Sequence, residues 1–125
     1  MQCSAYFGEL SEERKQNWNC ADDNPYDVLQ SPIKLTGKGH DLWEKGEKYF
    51  NGRIQIDWGS YAWKCTKEQI IVFLEGTITT LPWLLDGEKK EIESIKQYIR
   101  ERGDTQYGVV FIEESLLNEK ISNRN

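Results

Sequence analysis

The sequence predicts a small α+β domain, with a short, mainly antiparallel sheet covered by two or three helices. Three observations carry that expectation. Apolar and polar residues alternate with the period of a strand hairpin from Arg53 to Cys65. A near-continuous apolar run, Val109-Val110-Phe111-Ile112, lies within residues 107–113. Between these two, Ile92, Ile95 and Ile99 recur at helical spacing. At 125 residues the chain is expected to be one domain spanning 1–125. A chain of that size buries roughly two-thirds of its unfolded surface, enough for a core without disulfides or metal.

The first thirty residues are the hardest to decode. Ser11 followed by Glu12, Glu13 and Arg14 is suited to cap a short helix reaching about Trp18. Turns are expected at Asp22-Asp23-Asn24-Pro25, at Ser31-Pro32 and at Thr36-Gly37-Lys38-Gly39. From His40 to Phe50, Leu42, Trp43, Gly46, Tyr49 and Phe50 line one side of a helix, which Asn51-Gly52 would stop. Gly46 counts against that helix, because an internal glycine costs about 1 kcal/mol relative to alanine.

In the hairpin, Ile54, Ile56 and Trp58 point one way along the first strand, and Tyr61, Trp63 and Cys65 alternate along the second. Trp58 and Trp63 are expected on its core face. Thr66-Lys67-Glu68-Gln69 has the form of a capping box, so a helix is expected from Lys67 to Glu75, ended by Gly76. The β-branched run Ile70-Ile71-Val72-Phe73-Leu74 would equally suit a buried strand; the start and stop signals favour the helix. Ile78 to Leu85, broken by Pro82, suits an extended edge or a loop on the core.

Asp86-Gly87-Glu88 then opens the clearest helix, with Arg100 and Arg102 near its end and Gly103 as its stop. Tyr107 to Glu113 is apolar along nearly its whole length, which places it centrally in the sheet. A short helix over Ser115 to Ile121 and a frayed end complete the expectation.

Function is approached first through what the composition disfavours. A net charge of −5 is poorly suited to nonspecific nucleic-acid binding, which needs cations to displace counterions. The same charge steers a basic protein partner toward the chain. Cys3, Cys20 and Cys65 are odd in number and contain no CxxC pair, so neither a disulfide framework nor a zinc site is expected. Residues 1–15 lack the apolar stretch of a signal peptide and no run approaches a membrane span, so a reducing cytoplasm is the expected location.

Chemistry-bearing patterns are sparse. His40 beside Asp41 evokes a general base, but neighbours on a helix do not face each other. The Thr36–Gly39 turn lacks the full phosphate-loop spacing. Asp22, Asp23 and Asp27, like Glu88, Glu91 and Glu93, lack the alternation of a calcium loop and suit a solvated, negatively charged face. Cys65 alternates with core aromatics and is expected to be buried and inert. No catalytic residue and no cofactor are therefore expected.

Five tryptophans and six tyrosines point instead to packing and recognition. Trp18 and Trp83 sit in irregular stretches, where an indole is either a lid on the core or an exposed anchor. Candidate partner-binding residues are Trp18, Asp22, Asp23, Asp27, Trp83 and Glu88.

With its acidic balance, its α+β pattern and the stretch Asp57-Trp58-Gly59-Ser60-Tyr61-Ala62-Trp63, the chain resembles in type the small acidic immunity proteins that bacteria make against their own toxins. These include the immunity partners of contact-dependent growth-inhibition toxins. The resemblance implies a non-enzymatic inhibitor, monomeric or in a 1:1 complex, that blocks the active site of a cognate and basic toxin domain, often a nuclease. It implies no direct contact with nucleic acid or membrane, and it carries no residue-by-residue correspondence. A phage anti-defence protein or acidic nucleic-acid mimic is the alternative. A small-ligand or enzymatic module using His40 and the Gly37–Gly39 turn is a third reading.

Overall fold

The computed structural model describes residues 3–18, 25–35, 39–57, 60–80 and 85–113. In chain order these form β1 (Cys3–Leu10), α1 (Glu12–Gln16), α2 (Pro25–Val28), β2 (Leu29–Leu35), α3 (Gly39–Tyr49), β3 (Ile54–Asp57), β4 (Ser60–Cys65), α4 (Lys67–Thr80), α5 (Asp86–Arg100) and β5 (Tyr107–Glu113). The strands make one five-stranded sheet in the order β2-β1-β5-β4-β3, with every neighbouring pair antiparallel. The architecture is α+β.

The apolar run of β5 explains its central place. Tyr107, Val109 and Phe111 face one side and Val110 and Ile112 the other, and all five are buried. The larger core lies on the first side. There Ala5, Phe7, Leu35, Trp63 and the β5 residues meet Phe50, just past α3, together with Ile70, Ile71, Phe73 and Leu74 of α4 and Ile92, Ile95 and Ile99 of α5. The smaller core, on the opposite side, joins Tyr6, Leu10, Val28, Leu29, Ile56, Ala62, Val110 and Ile112, with Trp18 and Ile54 packed against it.

Local signals start and stop the helices much as their residues dictate. The Thr66 Oγ1 accepts from the Gln69 amide at 3.1 Å and the Gln69 Oε1 accepts from the Thr66 amide at 2.8 Å, which closes the capping box. Residues 70–74 are therefore helix. Gly76 does not end that helix; α4 runs through it to Thr80, so Ile78 lies in a helix and not in an extended edge. Gly76 is exposed there, with nothing near its missing side chain to break the helix. Past Tyr49, Gly52 takes φ +76°, the left-handed turn expected after a helix end.

Gly46 has a packing reason. A Cβ at this position would lie 2.3 Å from Cε2 of Phe111, so α3 can cross β5 at this distance only because residue 46 has no side chain.

Two strands escaped the sequence reading. β1 presents Ala5 and Phe7 to one core and Tyr6 and Leu10 to the other, so it has no polar face to reveal it. In β2, Ser31-Pro32 is no turn. It lies within an edge strand, where the missing N–H of proline is tolerated. Ser31 takes φ +46°, and the β1–β2 register shifts between Phe7 and Glu9.

The hairpin also divides differently. Ile54 pairs with Ala62 and Gln55 with Tyr61. Ile54 and Ile56 thus face the smaller core, while Trp63 and Cys65 face the larger one. Trp58 and the expected helix over Ser115–Ile121 fall outside the described residues.

Candidate functional site

The acidic segment after β1 is closed on itself. The Ser11 amide donates to the Val28 carbonyl at 2.9 Å, so the chain that leaves at α1 returns beside it at the end of α2. Residues 11–28 contain five carboxylates, Glu12, Glu13, Asp22, Asp23 and Asp27, against the two cations Arg14 and Lys15. That surplus of three negative charges is more than half of the net charge of the chain. Ser11 caps α1 by accepting from the Arg14 amide at 3.3 Å. Gln30 of β2 ties the helix down, donating to the Leu10 carbonyl at 3.1 Å and to Glu12 at 3.2 Å.

Within this segment the two signs of charge are sorted. Arg14 is buried, and its guanidinium donates to the Asn17 carbonyl and to Glu13, both at 3.2 Å. The ammonium of Lys15 lies 3.1 Å from Glu12 and 3.8 Å from Glu9, with its side chain mostly covered. By contrast the side chains of Glu12 and Glu13 are 77% and 79% exposed, and Asp27 is exposed on α2. The hydrogen bonds from Lys15 and Gln30 hold the Glu12 carboxyl below the usual range, so it is ionised at neutral pH. Cations turned inward and carboxylates outward make this end of the molecule a negative surface. Trp18, half-buried against the smaller core, flanks it.

Of the sequence-predicted residues, Trp18 and Asp27 are thus brought to one end. Glu88 is not with them. It lies on α5, whose buried stripe belongs to the larger core across the sheet, and its Oε1 accepts from the Leu85 amide at 3.2 Å. Asp22, Asp23 and Trp83 lie outside the described residues. His40 is in the first turn of α3, but its side chain is not among those described, and neither is the Gly37-Lys38 turn. Among the described residues no group of three potential ligands could hold a metal ion. Burial pushes the Cys65 thiol up to about 12, which leaves it protonated and unreactive at neutral pH.

Two polar constellations were missed by sequence reasoning. At the β1–α5 end, the Arg102 Nε donates to Glu9 at 3.0 Å and its Nη1 to the Tyr98 hydroxyl at 3.1 Å, while the Tyr98 hydroxyl donates to the Ser31 carbonyl at 2.5 Å. This hub fastens α5 to β1 and β2. At the far edge of the sheet, Glu47 and Arg53 form an ion pair beside a hollow of about 390 Å³. Glu9 and Arg102 are 93 residues apart, and only the fold juxtaposes them. No helix among the described residues is long and apolar enough to cross a membrane. Comparison with protein-family models, with curated proteins and with solved structures finds no match.

Proposed function

We propose that the chain is an immunity-type inhibitor that binds a basic toxin domain of bacterial origin, a nuclease being the leading case, and neutralises it by covering its active site. The observation that carries this reading is the sorted charge of residues 11–28. Arg14 and Lys15 are drawn into internal contacts while Glu12, Glu13 and Asp27 stay exposed. Such a surface accelerates encounter with a positively charged groove, and a flanking tryptophan supplies contact area that charges alone do not. Glu13 and Glu12 are the exposed members of their pairs with Arg14 and Lys15, so their carboxylates face solvent while the cations stay covered. In this reading the chain is cytoplasmic and acts as a monomer in a 1:1 complex, without a cofactor.

Capture by the tagged chain in its native host, followed by mass spectrometry, tests the reading. The expected result is one stoichiometric basic protein whose toxicity the chain suppresses. Replacing Glu12, Glu13 and Asp27 together by lysine should slow association by about 10-fold or more at low salt, with the difference shrinking as salt rises. Trp18→Ala should chiefly speed dissociation. Absence of any protein partner, or a partner bound equally well by the charge-reversed chain, defeats the proposal. A partner displaced by duplex DNA would favour the nucleic-acid mimic instead.

A further inference from the structure

The hollow at the far edge of the sheet lies beyond the C-terminal end of α3, on the side of the larger core. It is lined by Glu47, Phe50, Asn51, Gly52, Arg53 and Trp63. Its floor is preformed. Phe50 and Trp63 are almost fully buried, their rings 6.2 Å apart, and Phe50 packs further on Phe73 at 5.0 Å. The mouth is polar and charged. Arg53 lies with its guanidinium carbon 4.5 Å from the centre of the Tyr61 ring, which holds the guanidinium plane in place from one side. One of its five N–H donors is used by Glu47.

We propose that this hollow binds a small zwitterion, of which a free α-amino acid is the simplest case. An anion alone would meet the Glu47 carboxylate beside Arg53, and a cation alone would meet Arg53 beside Glu47. A ligand that carries both charges on neighbouring atoms satisfies both. Its carboxylate takes the remaining guanidinium donors, which suit planar, two-point recognition. Its ammonium approaches the Glu47 carboxylate and the C-terminal end of α3, where the helix dipole is negative. The two opposite charges are in direct contact, so a ligand carrying both on neighbouring atoms can reach them together. At about 390 Å³ the hollow has room for a ligand of this size. It opens to solvent, so affinity is expected in the range of about 1 mM. The site is on the opposite side of the sheet from Trp18 and does not depend on the inhibitor reading.

The experiment is a titration of the isotope-labelled full chain with a panel of α-amino acids, followed by amide and side-chain chemical shifts. The expected result is saturable shifts at Gly52, at the Arg53 Nε–H and at the Trp63 indole N–H for at least one amino acid. Acetate and methylamine, each carrying one of the two charges, should produce little change. Arg53→Ala and Glu47→Ala should each weaken binding at least ~10-fold. Both side chains are substantially exposed, so the variant spectra should be unchanged away from the hollow, which separates lost binding from lost folding. No saturable shift from any amino acid, an equal response to acetate or methylamine, or binding that survives Arg53→Ala overturns the proposal.

Discussion

At Cys65 a single titratable group reports on the core. Its side chain packs among the larger cluster at the end of β4, opposite Tyr107, and burial alone pushes its thiol from the ordinary 9.0 to about 12. A pKa that is higher folded than unfolded means that the folded state favours the protonated thiol. Its stabilising contribution is full below pH about 9 and is lost as pH climbs toward 12. Tyr107 moves in the same direction, raised by burial and then by the Glu9 carboxylate against the opposing Arg102 charge, while its hydroxyl donates to the Gly103 carbonyl at 2.5 Å. Urea unfolding should therefore show stability falling above pH about 9, with Cys65→Ala flattening the first part of the fall and leaving the part due to Tyr107. An identical slope in the variant would show that Cys65 is not the group responsible. The native thiol should also resist alkylation at neutral pH and react once urea unfolds the chain, as read by peptide mapping.

For the helices, two glycines separate packing from propensity. Gly46 in α3 sits where any Cβ would strike the Phe111 ring, which is itself held edge-on against Trp63 at 5.1 Å. Gly76 in α4 is exposed, with nothing within 4 Å of where a Cβ would be. Alanine raises helix propensity at both positions by about 1 kcal/mol. At Gly76 nothing opposes this, and Gly76→Ala should stabilise by about 0.5–1 kcal/mol. At Gly46 the overlap with a fixed ring outweighs it, and Gly46→Ala should be net destabilising by about 1–2 kcal/mol. Urea midpoints of the two variants check the opposite signs, and a Gly46→Ala chain as stable as the parent would refute the close approach. The same pair shows what could be read beforehand. α5 was legible because its period and its end signals agreed, whereas α4 was legible only through its Thr66–Gln69 capping box, its β-branched run suiting a strand as well. The end of α4 was not, because a glycine stops a helix only where the chain also has reason to turn. β1 and β2 were hidden because both faces of β1 are apolar and β2 carries Pro32 at a sheet edge. The site was legible as residues and illegible as a surface. Trp18 and Asp27 were named, but the bond from Ser11 to Val28 and the inward turn of Arg14 and Lys15 depend on the fold.

Across the whole molecule, stability rests on a pairing between the two ends of the described chain. β1 lies between β2 and β5, and its seven pairings with β5 run from Cys3 with Glu113 to Glu9 with Tyr107. It also bridges the two cores, sending Ala5 and Phe7 to one and Tyr6 and Leu10 to the other. Removing it would strand β2, whose only sheet partner among the described residues is β1, and expose one edge and part of both faces of β5. A sheet closed by contacts this distant in sequence also folds slowly, because the entropy of bringing the ends together is lost before the ladder forms. Refolding from urea should take milliseconds to seconds, unlike the faster folding of helical proteins of similar size. A chain lacking residues 1–10 should lose its cooperative transition and near-ultraviolet dichroism while keeping some helix signal. A synthetic peptide of residues 1–10, added in excess, should restore both by supplying the missing strand between β2 and β5, and a Phe7→Ala peptide should do so far less well, since that truncation costs about 3–5 kcal/mol in a packed core. A shortened chain that still unfolds cooperatively near the parent midpoint would show that the remaining strands form a stable sheet without β1.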